Sequence, residues 1–110
     1  MRMWMLNPKF LCRKHLLGKH GELHKFKHNF EKKYNMSNRI LLNQIEPLSM
    51  ETRHNELVEE MLKRGYKHNS PYTMPDVSYI GKLLNEKINT DLSYEDLKNR
   101  CEDCKKLMEI

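Results

Sequence analysis

Residues 15–30, HLLGKHGELHKFKHNF, set a single carboxylate, Glu22, among four histidines and three lysines. Such a stretch could ligate a metal, grip a polyanion, or hold Glu22 for proton transfer. His20, His24 and His28 are spaced i, i+4, i+8 and share one side of a helix. Two histidines at i, i+4 can bind zinc, but a further ligand must then come from elsewhere. The H-E-x-x-H pattern that joins such a pair to a catalytic glutamate is absent. At about 100° per residue these three rings point away from Glu22, so they read as surface or partly buried histidines.

On the same helical wheel Glu22 has Gly18, Lys25 and Asn29 as neighbours, with Lys14, His15 and Lys32 flanking. One acid on a basic face suits an electrostatic or proton-transfer role. An ordinary helix ion pair with Lys25, contributing a few tenths of a kcal/mol, is the plainer reading. Cys101 and Cys104 form a C-x-x-C with no second pair of that kind. They continue an apolar stripe with Leu97 and Met108, so core packing is expected of them rather than metal binding.

These groups need a scaffold, and the only strong periodicity is helical. Cys12, Leu16, Leu23, Phe26, Phe30 and Tyr34 recur at helical spacing, predicting a first helix from between Pro8 and Cys12 to about Tyr34, with Asn7-Pro8 at its start. Gly18 and Gly21 fall inside it at a cost of roughly 1 kcal/mol each. A second helix is expected over about 50–64, with Ser49 as N-cap, an inner face of Leu57, Val58, Met61 and Leu62, and Gly65 as its stop. Residues 67–75 read as a loop. Two further helices are expected over about 76–89 and 93–109. The fold expectation is all-α, a compact single domain of three to four helices with long loops over residues 1–110.

Charge is unevenly placed on this chain of net charge +5. Residues 1–34 hold nine basic residues against two acids, and residues 35–110 hold eleven against thirteen. A basic first third suggests a polyanion, nucleic acid being the commonest. No apolar run is long enough to span a bilayer, and the N-terminus lacks the h-region of a signal peptide. Three cysteines make no disulfide framework, so a reducing, cytoplasmic setting is expected.

HLLGKHGEL at 15–23 and LVEEMLKRGY at 57–66 resemble segments of the phage pyrimidine-dimer DNA glycosylase family, the endonuclease V type. The shared features are a histidine-leucine pair seven residues before a glutamate and a helix ending in leucine-lysine-arginine-glycine-aromatic. LNEKI at 84–88 resembles a third segment in the same order. The resemblance implies a mostly helical enzyme that cleaves the glycosidic bond of the 5′ pyrimidine in a cyclobutane dimer, then nicks the strand by β-elimination. The family's nucleophile is its N-terminal α-amine, here that of Met1, and its essential carboxylate matches Glu22. DNA contact is implied for Arg2, Arg13, Lys14, His15, Gly21, Lys25, Lys32 and Lys33.

The chain departs from the family at four places. Gly21 stands where the family has an arginine, Lys25 replaces another arginine, and Met1 replaces threonine. The helical segment 93–110 replaces an aromatic-rich tail. The leading expectation is a bifunctional glycosylase and abasic-site lyase on damaged double-stranded DNA, monomeric, needing no metal or other cofactor. The alternatives are a non-catalytic basic helical module that binds nucleic acid, and a small zinc protein using Cys101, Cys104 and two histidines.

Overall fold

The first residues described, from Met3, run inward. In the computed structural model, which describes residues 3–42, 44–68 and 71–109, Met3, Trp4, Leu6 and Leu11 are all buried. Met3 donates its backbone N–H to Gln44 O at 2.8 Å. Trp4 and Met5 both have positive φ, 57° and 51°. Left-handed backbone at two consecutive bulky residues is costly and persists only where surrounding contacts over-determine it. Here they do: the indole is 1% exposed, and its Nε1–H donates to Asp96 Oδ2 at 3.1 Å. Trp4→Ala should therefore cost about 3–5 kcal/mol in a denaturant melt.

The chain next makes a 3-10 turn at Pro8–Phe10, capped by Asn7, and enters α1 (Arg13–Glu31). Asn7-Pro8 thus opens the 3-10 turn, and Cys12 is the N-cap of α1. The helix stops three residues before Tyr34, which is 53% exposed and off the buried stripe. Leu16, Leu23, Phe26 and Phe30 form that stripe, and Lys19 is buried with them. The helix runs unbroken through Gly18 and Gly21, and a Cβ at either would meet open space. Neither glycine is required by packing.

A short helix absent from the sequence expectation follows, α2 (Ser37–Leu41). A 3-10 turn at Pro47–Ser49 leads into α3 (Met50–Lys63). This helix matches expectation in extent, and Gly65, at φ 83°, ends it. Its inner face differs. Leu57 and Met61 are buried, Val58 is half-buried and Leu62 is 56% exposed, while Arg53 and His54 take inward positions. Ser49 makes no side-chain cap, because its hydroxyl donates to Glu46 Oε2 instead.

Two expected helices come out differently. Over the third, the structure has a 3-10 segment, Ser78–Asn85, interrupted at Gly81 (φ 62°, ψ −122°). The last is two helices, α4 (Thr90–Arg100) and α5 (Glu102–Met108), separated by extended backbone at Cys101 (φ −134°, ψ 113°). Among the described residues there are five α-helices and three 3-10 helices, more pieces than the expected three or four, and no strand. The protein is all-α as expected. One core joins them, with α1 packed on α3 and the α4–α5 pair closing over the N-terminal segment.

Candidate active site at Glu22

Glu22 lies at one border of the buried face of α1. Its partner is Lys19, whose Nζ approaches Oε2 at 3.1 Å, and not Lys25, which is exposed. Both positions are one helical turn from Glu22, and tertiary burial chooses between them. Lys19 is 8% exposed, with its ammonium 4.0 Å from the centre of the Trp4 ring. Burial pulls the Lys19 pKa down, and the Glu22 carboxylate opposes that shift. A linked path therefore runs from Asp96 through the indole and Lys19 to the carboxylate.

Glu22 borders a small buried crevice, too tight to admit a water, that Met3, Lys19, Leu23, Phe26, Arg53 and Leu57 also line. Arg53 was missed by sequence reasoning, although it shares the i, i+4, i+8 register of Leu57 and Met61. Its side chain is 2% exposed, and burial lowers its pKa to about 10. One guanidinium nitrogen donates to Leu6 O, while Nε and the other terminal nitrogen are buried without a hydrogen-bond partner. The nitrogen that donates to Leu6 O lies 3.8 Å from Glu56 Oε1, so this buried guanidinium at the crevice wall is partly compensated by an exposed carboxylate.

The residues expected to contact DNA divide into groups. Lys14, Gly21 and Lys25 are exposed on the solvent face of α1 next to Glu22, and Lys32 and Lys33 are exposed at its C-terminal end. Arg13 is exposed but lies half a helical turn round from Glu22, its guanidinium 5.4 Å from the Tyr66 ring centre. The His15 ring turns inward, its Nδ1 3.3 Å from the sulfurs of both Cys12 and Cys104. Met1 and Arg2 lie outside the described residues.

The other histidines gather on the far side of α1. His20 and His24 meet His54 and His68, and His28 stays exposed apart from them. Burial, then the neighbouring rings of His54, His24 and His68, hold the His20 pKa down to about 4. The cysteines pack as expected, Cys104 in the core with Leu97 and Met108 and Cys101 against it. Cys101 and Cys104 converge on Cys12 and His15, not on a histidine pair from the middle of α1.

A model of the pyrimidine dimer DNA glycosylase family matches residues 1–74. That stretch is well over half the chain and includes Glu22, its crevice and α1 to α3. The chain belongs to the pyrimidine dimer DNA glycosylase family. Neither a curated protein nor a solved structure gives a significant match. The glycosylase match ends before the Ser78–Asn85 segment, so α4 and α5 lie beyond it. The family's substrate is DNA, and no described helix is long and apolar enough to cross a membrane.

Proposed function

We propose that this glycosylase is bifunctional, excising a damaged pyrimidine from duplex DNA and then cutting the strand at the abasic sugar. The observation that carries the reading is that Met3 and Glu22 line one crevice. Two residues of chain reach at most about 7 Å, a span that would let an amine on Met1 meet a sugar bound at the surface beside Glu22. An α-amine has a pKa of about 7.7–8.0, leaving roughly a tenth of it neutral and nucleophilic at pH 7.

In the first step the amine nitrogen bonds to C1′ and the C1′–N bond to the base breaks, the base leaving with its electron pair and taking up a proton. The sugar ring opens to an iminium, and the amine proton passes to the ring oxygen with Glu22 as carrier. The Glu22 carboxylate also opposes the positive charge that develops on the sugar. Loss of a C2′ proton then expels the 3′ phosphate, and water frees the amine. Lys19, whose Nζ lies 3.1 Å from Oε2, holds this carboxylate in place. No step needs a metal or an organic cofactor.

Lys14, Lys25, Lys32 and Lys33 would hold phosphates on either side of the crevice. Arg2 would join them, while Arg13 and His15 face elsewhere and take a lesser part. The chain would act as a monomer. Gly21→Arg restores the family's arginine on the open helix face. It should tighten binding to duplex and steepen the salt dependence of log K by about 0.9, one phosphate contact, in a fluorescence titration.

Borohydride reduction tests the proposal. A protein with a free Met1 amine should become covalently linked to irradiated or abasic duplex and not to undamaged duplex. Absence of any trapped product with that amine confirmed by mass spectrometry would remove the lyase reading. One observation favours a second reading of the same chemistry. Lys19 is a buried amine in contact with Glu22 whose pKa is lowered, and it could supply the nucleophile in place of Met1.

A further inference from the structure

Cys12, His15, Cys101 and Cys104 come from opposite ends of the chain, yet one ligand atom of each lies within 4.8 Å of all the others. Cys12 Sγ is 3.3 Å from His15 Nδ1 and 3.9 Å from Cys101 Sγ, and Cys104 Sγ is 3.3 Å from His15 Nδ1. A tetrahedral zinc with bonds of about 2.3 Å to sulfur and 2.0 Å to nitrogen sets S···S near ~3.8 Å and S···N near ~3.5 Å. The observed edges match that figure. A disulfide would need sulfurs about 2.05 Å apart, and all three cysteines are free.

The local sequence fits as well. Cys12-x-x-His15 spans the entry to α1, and Cys101-x-x-Cys104 spans the entry to α5. The extended backbone at Cys101 turns its sulfur towards Cys12. The Cys12 backbone N–H points at Cys104 Sγ, at 3.2 Å, an outer hydrogen bond of the kind that supports a metal-bound thiolate. Trp4 packs edge-on against the His15 ring at 5.6 Å, which fixes its orientation.

We propose that these four residues form a structural zinc site of the Cys3His type, clamping α4 and α5 onto the start of α1. Three thiolates and one imidazole select zinc over harder cations, and four protein ligands leave no open position for catalysis. The site is separate from Glu22, so its test does not depend on the glycosylase chemistry.

The whole chain, purified under reducing conditions without a metal-affinity step, should release about one zinc per chain when an organomercurial titrates its thiols. Replacement by cobalt(II) should give a thiolate-to-metal charge-transfer band in the near ultraviolet. Cys101→Ser, at a half-exposed position, should weaken that band by at least about a third, and chelation should lower the melting temperature of the wild type by more than that of the variant. Absence of mercurial-released zinc, or cobalt binding without the band, overturns the proposal. If Cys101→Ser does not fold, the two wild-type measurements decide.

A separate observation carries a second site. The Nε2 atoms of His24 and His68 are buried without a hydrogen-bond partner. They belong to a group with His20 and His54 whose ligand atoms all lie within 4.8 Å. His20 and His54 bring their Nε2 atoms to 3.0 Å, close to the ~3.3 Å edge of a tetrahedral Zn–N4 site. Asn55 Oδ1 lies 3.1 Å from His54 Nδ1, an outer contact of the kind that orients a metal-binding imidazole. We infer that this pocket takes a divalent first-row ion of the imidazole-binding kind, zinc or nickel. With zinc as the probe, His68→Gln should lose about one equivalent of metal while keeping the thiolate–cobalt band. Unchanged metal content in that variant would exclude the second site.

Discussion

Glu22→Gln should lower cleavage of irradiated duplex by about 10²–10⁴-fold in single-turnover nicking, the usual contribution of a positioned acid/base group. Glutamine keeps the shape of the side chain but can neither carry a proton nor oppose a developing cation. The variant also leaves the Lys19 ammonium, now 3.1 Å from a carboxylate oxygen, with only a neutral acceptor. That loss should cost about 1–3 kcal/mol of stability, which a denaturant melt measures separately from the rate. Binding to duplex should persist, because the exposed lysines of α1 are untouched. A folded Glu22→Gln protein that nicks at the wild-type rate would end the proposal for this residue.

Blocking the α-amine should have an effect of similar size on a different step. Acetylating Met1 should take borohydride trapping below detection while gel retention of duplex continues. An amide nitrogen has no basic lone pair and cannot form an iminium. Lys19→Met should keep trapping, at a reduced rate, because Glu22 loses its partner. The reverse pattern, with trapping that survives the block and vanishes in Lys19→Met, would assign the nucleophile to Lys19. The two amines are thus separated by one pair of proteins.

Helices α1 and α3 could be read from the sequence because each carries an apolar stripe long enough to set its period. Gly65 likewise marked the end of α3 through its positive φ. The break between α4 and α5 could not be read in this way. No glycine or proline stands near Cys101, and the extended backbone there follows from tertiary contacts with Cys12. Glu22 was singled out through the resemblance, and its partner in the fold was not foreseen. Lys19 and Lys25 are equivalent on a wheel, and only the burial of Lys19 under Trp4 separates them. The cysteine and histidine groups were missed for a related reason. Each is made of pairs that local spacing does show, such as Cys101-x-x-Cys104 and His20 with His24, but the partners of each pair lie far away in sequence.

The indole of Trp4 has one last consequence. It is gripped from outside by Asp96 and in turn seats the ammonium that holds Glu22. The final helices fall beyond the stretch shared with the family, but through Asp96 they brace the Glu22 carboxylate from behind. Helices outside the shared stretch thus act as a buttress, and the position of the Glu22 side chain is set partly by residues more than seventy positions away in sequence.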